Sequence, residues 1–204
     1  MARNGMHTGP RDPRVHPESQ PRFATELAAA SAMKETLHYA WGTSSLGEFI
    51  AANSDGGLVA LEFEQRAGTA ISRLQSRFPD AEVVEDAAGL KRTVENAARL
   101  IEHPAASTTL AVDMRGSDFE REVWSALQQI PAGRTISYGE LACRLGGPHL
   151  AQRVGEACAA NTIAVVIPCH RALRKNGGIS GYRWGIWRKR ALLEREYLEN
   201  FSLT

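Results

Sequence analysis

Three short runs near the start of the patterned chain, Thr36–Trp41, Gly47–Ala52 and Leu58–Glu64, read as β-strands. Their separators, Gly42-Thr43-Ser44-Ser45 and Asn53-Ser54-Asp55-Gly56-Gly57, are turn chemistry. Separators this short make neighbouring strands antiparallel. Apolar spacing then changes period. Ile71, Leu74 and Phe78 fit a helix over Thr69–Arg77 that Pro79 ends. Leu90, Val94, Ala97, Ala98 and Ile101 repeat the signal over Gly89–Glu102. Pro104–Thr108 reads as a linker and Leu110–Met114 as a further strand.

Ser117 with Glu120 forms a capping box that opens a helix, with Phe119, Val123, Trp124 and Leu127 as its buried stripe. Pro131-Ala132-Gly133 closes it. Ser137 and Glu140 form a second capping box, followed by Leu141, Ala142 and Leu145. Gly146-Gly147 makes a turn, and Pro148 suits the first position of a third helix reaching about Ala160. Helix, glycine turn, helix is the helix-turn-helix pattern. On the third helix, Leu150, Val154, Ala157, Cys158 and Asn161 share the core face. Ala151, Gly155 and Ala159 form a small-residue stripe on the exposed side, with Gln152 pointing away from the core and Arg153 on the flank.

The apolar run Ala164–Ile167 reads as a short buried strand that Pro168 stops, presenting Cys169 and His170 at its end. A cysteine nucleophile needs a lowered pKa or a nearby base. Adjacent side chains on an extended segment point to opposite faces, so His170 reaches the thiol through a water or through a turn that re-aims it. A carboxylate from the last helix, Trp187–Asn200, fixes the imidazole, with Glu194 and Glu196 as candidates.

Composition narrows the class. In 204 residues, 43% hydrophobic, there is enough apolar material for a real core and no run long enough to span a membrane. Residues 1–34 read as a tail, its first part rich in Pro, Arg and Gly and without a secretory leader's apolar segment, its last part partly helical. Three cysteines without a Cys-x-x-Cys pair favour a reducing cytoplasm, with Cys143 and Cys158 as core residues. The histidines have no metal spacing with a cysteine, so neither metal nor cofactor is expected. The net charge of +1 hides a split: 11 Lys/Arg against 15 Asp/Glu in residues 1–114, and 13 against 8 in residues 115–204. A basic second half suits a polyanionic partner.

Ile167-Pro168-Cys169-His170-Arg171, Asn176-Gly177-Gly178-Ile179-Ser180-Gly181-Tyr182, Lys189 and Leu192-Leu193-Glu194-Arg195-Glu196 closely resemble the methylated-DNA–protein-cysteine methyltransferases. Gly116-Ser117-Asp118-Phe119, Val123-Trp124, Ile130-Pro131 and Ser137-Tyr138 extend the resemblance to about residues 36–198. Ala157-Cys158-Ala159-Ala160-Asn161 and Ser180–Gly185 make it closest to the C-terminal domain of bacterial Ada proteins. It implies an α+β fold. Residues 35–108 would be a scaffold with a three-stranded antiparallel sheet and helices, RNase H-like. Residues 109–204 would be a mainly helical, winged-helix-like domain carrying the helix-turn-helix.

The resemblance also implies a function. A cytoplasmic monomer binds double-stranded DNA in the minor groove, flips O6-alkylguanine (with O4-alkylthymine a further candidate) out of the stack, and moves the alkyl group once and irreversibly to Cys169. His170 takes the thiol proton through a water, Glu196 holds His170, Tyr138 donates to the leaving guanine, and Asn161 ties the DNA-reading helix to Cys169. Ala151, Gln152, Arg153, Gly155 and Tyr138 face DNA. Ala172, Ser180, Tyr182, Arg183 and Lys189 form the pocket, and the carbonyls of Cys169 and Ala172 read the exocyclic amine. Two departures stand out: Gln152 occupies the family's intercalating arginine position, which predicts weaker binding and flipping, and Ala172 replaces a larger branched residue beside the pocket. The alternative is a non-enzymatic sensor of alkylated DNA on the same fold.

Overall fold

The structure is a computed structural model that describes residues 34–64, 69–106 and 110–202. The expected tail lies outside the described residues, except Lys34, as does the expected domain division near residue 108. Residues 34–204 belong to one compact unit, an α+β arrangement of one larger sheet, one small sheet and helices.

Strands β1 (Glu35–Ser44), β2 (Gly47–Ser54) and β3 (Gly57–Phe63) form the expected antiparallel meander. Helix α1 (Ala70–Arg77) then leads into β4 (Ala81–Glu85), which pairs parallel to β1. The sheet is therefore four-stranded and mixed, in the order β3-β2-β1-β4, rather than three-stranded and antiparallel. β4 is an edge strand whose only buried residue is Ala81, so it lacks the apolar pattern that marks the other three.

Leu37, Ile50, Val59 and Leu74 pack on one face of the sheet. On the other face, Phe49, Leu58 and Leu61 join Ile101, Trp124, Leu127, Leu141, Val154 and Ile167 in the larger core. That core draws in helices α2 (Lys91–Glu102) and α3 (Asp118–Gln128). The expected strand at Leu110–Met114 is reduced to one parallel bridge, Leu58 with Val112. Gly57 permits the approach: its φ is +128°, and a Cβ there would lie 2.6 Å from the Ala111 carbonyl oxygen.

Both capping boxes form. Ser117 Oγ accepts from the Glu120 N–H at 3.3 Å while the Glu120 carboxylate accepts from the Ser117 N–H at 2.7 Å. Ser137 and Glu140 repeat this at 3.1 and 2.8 Å, starting α4 (Tyr138–Arg144) directly after the short strand β5 (Ile136–Ser137). A 3-10 turn at Pro148–Leu150 precedes α5 (Ala151–Ala160). Another 3-10 turn, Cys169–Arg171, leads to β6 (Ala172–Leu173), which pairs parallel to β5, and the chain continues to α6 (Ile186–Ser202). Val154, Ala157 and Cys158 of α5 are buried as expected. Cys143 is exposed, not a core residue, because Leu141 and Ala142 take the inward positions of its short helix. Among the described residues, no helix is long and apolar enough to cross a membrane.

Candidate active site

The segment before the cysteine is not a strand. Only Ile163 bridges to the sheet, at Leu61, and Ala164–Val166 form a turn. Val165 takes φ +67°, a left-handed conformation that a β-branched residue rarely adopts. The burial that made the run look like a strand is real, but it is the burial of a turn wedged into the larger core. Leu61 N–H donates to the Thr162 carbonyl and Ala164 N–H to the Leu61 carbonyl, both at 2.8 Å. Cys169 N–H donates back to the Ile167 carbonyl at 2.8 Å, so Cys169 sits on a 3-10 turn and not at the end of an extended segment.

Asn161 joins helix to turn. It caps the C-terminus of α5 and is fully buried. Its Nδ2 donates to the Ile167 carbonyl at 3.0 Å and to Cys169 Sγ at 3.2 Å, and its Oδ1 accepts from the Ile163 N–H at 2.8 Å. One side chain thus fixes the exit of α5, the turn and the thiol.

The 3-10 turn re-aims His170 away from solvent, and it is fully buried. Its Nε2 lies 2.8 Å from Glu196 Oε1. Glu194 is exposed and Glu196 fully buried on the inner face of α6, which decides between the two carboxylates left open by the sequence. Glu196 also accepts from Arg171 Nε at 3.0 and 3.2 Å, from Arg171 Nη2 at 2.8 Å and from the Gly133 N–H at 3.0 Å. Arg171 Nη1 donates to the Ile130 carbonyl at 2.5 Å. Arg171 and Gly133 were not among the expected site residues. Their only sequence signal is an arginine set between Cys169-His170 and an apolar pair.

Electrostatics assign the roles. Burial pushes the Glu196 carboxyl up, but the hydrogen bonds and charges of His170 and Arg171 outweigh it and hold the group below its ordinary range. An ionised carboxylate can only accept, so His170 carries its proton on Nε2 and leaves Nδ1 as an acceptor. Burial lowers the His170 pKa despite Glu196, keeping the ring neutral. Burial also raises the Cys169 thiol, opposed by the Asn161 hydrogen bond and the nearby Lys189 charge. The thiol is therefore held in its protonated form.

A cavity of about 470 Å³ opens onto Cys169. Ser180, Tyr182 and Arg183, expected in the pocket, line it with Tyr138, and so do Gly155 and Ala159, expected on the exposed DNA-facing side of α5, together with Cys158 and Gly181. Cys158 was not expected there, because its core-facing angle on α5 also faces this cavity. Tyr138 and Ser180 share a hydrogen bond of 2.7 Å between their hydroxyls. Ala172 and Lys189, expected in the pocket, are fully buried and do not line it. Lys189 Nζ instead donates to the Ala172 carbonyl at 2.6 Å and to Ser180 Oγ at 3.5 Å, pinning the pocket loop to β6. The Ala172 carbonyl expected to read an exocyclic amine thus already has a donor.

On the exposed face of α5, Gln152 Nε2 donates to Glu156 Oε1 at 3.0 Å. The Arg153 guanidinium lies 4.1 Å from the centroid of Phe119. Ala151 is half-buried at the start of the helix. Gly155 has nothing within 4 Å of where a Cβ would stand, so no internal packing requires a glycine there.

The sequence profile described as "6-O-methylguanine DNA methyltransferase, DNA binding domain" matches residues 118–198. The chain is 39% identical over 160 residues to the bifunctional transcriptional activator/DNA repair enzyme Ada of Escherichia coli K12, covering 78% of this chain and 45% of that protein. It is 52% identical over 85 residues to the methylated-DNA–protein-cysteine methyltransferase of Mycobacterium bovis, covering 42% and 52%. The chain spans about half the length of the curated relatives it matches. A crystal structure of Mycobacterium tuberculosis OGT in complex with DNA superposes with a TM-score of 0.66 at 33% identity, covering 79% of this chain and 93% of that one. With a fold-wide match of that kind and a buried Cys169-His170-Glu196 cluster inside the matched segment, the chain belongs to the methylated-DNA–protein-cysteine methyltransferase family.

Proposed function

We propose that the protein repairs DNA by moving a methyl or small alkyl group from O6 of guanine to Cys169, acting once per molecule, as a monomer in the cytoplasm. The observation that carries this is the placement of Cys169 Sγ: at the floor of an open cavity, bonded to Asn161, beside a neutral His170 whose Nε2–H is held by Glu196. Relatives named as methylated-DNA–protein-cysteine methyltransferases and a solved OGT–DNA complex support the reading. We read α3–α5 as a winged-helix-like helix-turn-helix and the larger sheet with α1 and α2 as an RNase H-like scaffold.

The step follows from the geometry. The Cys169 proton passes through a water to His170 Nδ1, and the imidazolium that forms is stabilised by Glu196. The thiolate attacks the alkyl carbon, the C–O6 bond breaks, and its electron pair stays with the guanine. Tyr138, its hydroxyl raised in pKa chiefly by burial and so kept protonated, donates to the departing base. The new S–C bond is a thioether with no route back to thiol, so Cys169 is consumed.

DNA approaches over α5, where Ala151, Gly155 and Ala159 let a backbone come close. A mid-helix glycine costs about 1 kcal/mol relative to alanine, and Gly155 gains nothing from internal packing. Arg153 contacts phosphate from the flank, and Gln152 fills the space of the flipped base. The test is incubation with a duplex containing O6-methylguanine, followed by mass analysis of the Cys169 peptide. A gain of one methyl at Cys169, absent in Cys169→Ser, is expected. Tight binding with no adduct would replace this reading with that of a lesion sensor.

A further inference from the structure

Three buried polar atoms around or behind the acceptor cavity have no hydrogen-bond partner among the described residues: His170 Nδ1, the Tyr182 hydroxyl and, on the ring packed against Tyr182, Trp184 Nε1. Buried polar groups in native proteins are almost always satisfied, and an orphan forfeits its full desolvation. The chemistry of Nδ1 as a proton acceptor is accounted for above. The hydroxyl is not: as a wall of the cavity, Tyr182 needs only its ring.

The ring is braced on one side and its hydroxyl oxygen is buried. Tyr182 meets Trp184 edge-on, with centroids 5.1 Å apart and planes at 72°. Trp184 is 6% exposed and stands against Phe63 of β3 at 6.5 Å. The hydroxyl points inward, and its ionisation is suppressed first by burial and then by the neighbouring Cys169, with Glu196 acting in the same sense and Arg188 opposing. It makes no direct bond to Cys169. It therefore shares a neighbourhood with the thiol and with the His170–Glu196 pair while being joined to neither. A buried water typically satisfies about three polar groups, and three are on offer here: the unpartnered His170 Nδ1 and Tyr182 hydroxyl, and the Cys169 S–H, whose sulfur accepts from Asn161.

We propose that Tyr182 is a positioning residue for thiol activation, its hydroxyl donating to the oxygen of the water that relays the Cys169 proton to His170 Nδ1. The inference rests on the transfer reading above. With that lone pair taken, the water's second lone pair receives the thiol proton and one of its own protons is directed to Nδ1. The S–H bond breaks as a new water O–H bond forms, another water proton moves to Nδ1, and the products are thiolate, imidazolium and water. Tyr182 keeps its proton throughout. Donation into the water also makes that water a better donor to the thiolate. The other ionisable groups facing Cys169 are Cys158 from α5, Tyr138 from α4, Arg183 from the segment before α6 and Lys189 from α6.

Tyr182→Phe keeps the ring, the Trp184 contact and the cavity wall, and removes only the donor. The readout is the pH dependence of Cys169 carbamidomethylation by iodoacetamide, followed at the Cys169 peptide so that exposed Cys143 does not interfere, beside methyl transfer from an O6-methylguanine duplex. The expected result is a midpoint moved up by about 0.5–1 pH unit, with Cys169 reacting about three- to tenfold more slowly at pH 7 and an unchanged alkaline plateau. Incorporation of 3-fluorotyrosine at position 182, a stronger donor, moves the midpoint down, and it carries the test if the Phe variant does not fold. An unmoved midpoint in either substituted protein overturns the assignment. If wild type takes no methyl from DNA while the iodoacetamide profiles still diverge, the transfer reading falls and the hydroxyl's role stands. Active transfer with superimposed profiles sinks the hydroxyl's role alone.

Discussion

Replacing Glu196 with glutamine removes one buried charge without changing shape, and the surroundings set its cost. The carboxylate is fully buried and takes hydrogen bonds from His170 Nε2, Arg171 and the Gly133 N–H. A glutamine offers one acceptor oxygen and an NH₂ group, so at least one of these donors faces another donor. Arg171, 8% exposed, keeps its charge and loses its counter-ion. Breaking a buried pair from one side costs about 3–5 kcal/mol, and in a domain of this size each kcal/mol lowers Tm by about 2–4 °C. We expect Glu196→Gln to melt about 6–20 °C lower by circular dichroism. Substituting the pair together, Glu196→Leu with Arg171→Met, removes both charges and is expected to recover most of that loss. Transfer does not recover, because His170 is no longer held with Nδ1 as acceptor. The single-turnover rate is expected to fall about 10²–10⁴-fold in both proteins. Acid separates the terms again. The folded carboxyl titrates below its ordinary value of 4.5, so its stabilisation is complete above that pH and drains as pH falls through the lower folded value. The gap between wild type and Glu196→Gln should therefore close below about pH 4.5. A melting shift under 2 °C, a gap that widens in acid, or a double variant with wild-type transfer would refute the reasoning.

Asn161→Ala leaves the Ile163 N–H without its partner, takes one of two donors from the Ile167 carbonyl and takes a donor from Cys169; at about 1–3 kcal/mol for a stranded group, urea melts should show a loss of about 1–3 kcal/mol, and the Cys169 pH–rate midpoint should rise. A loss below 1 kcal/mol would show that the turn holds itself. Gln152→Arg restores a cation that also pairs with Glu156, and is expected to speed repair of duplex DNA while leaving reaction with free O6-methylguanine unchanged. Equal duplex rates would remove Gln152 from the base-flipping argument.

What the sequence showed clearly was local. Ser117 with Glu120 and Ser137 with Glu140 announce two helix starts because a capping box is completed within four residues. The hairpins of β1 to β3 are legible for the same reason. β4 was not, because Glu82, Val84 and Glu85 are exposed and its partner β1 lies far back in the chain. The run before Cys169 misled because four apolar residues report burial and not backbone shape, and only coordinates reveal Val165 at φ +67°. The site divides along the same line. Cys169 and His170 are neighbours and could be read together. The dependence of Glu196 on Arg171 and Gly133 is assembled across the fold and has no local signature.

The bridge between Leu61 and Ile163 bears on when the site comes into being as the chain folds. Thr162 Oγ1 donates to the Val59 carbonyl from 103 positions away, and the Leu61 backbone holds both Thr162 and Ala164. Contacts that close so long a loop form late, because the chain entropy they cost has to be met before they return anything. The capped helices can be in place early, while the turn carrying Cys169 waits for an edge strand made from the opposite end of the described chain. The scaffold strand thus ties completion of the Cys169 turn to the docking of β3.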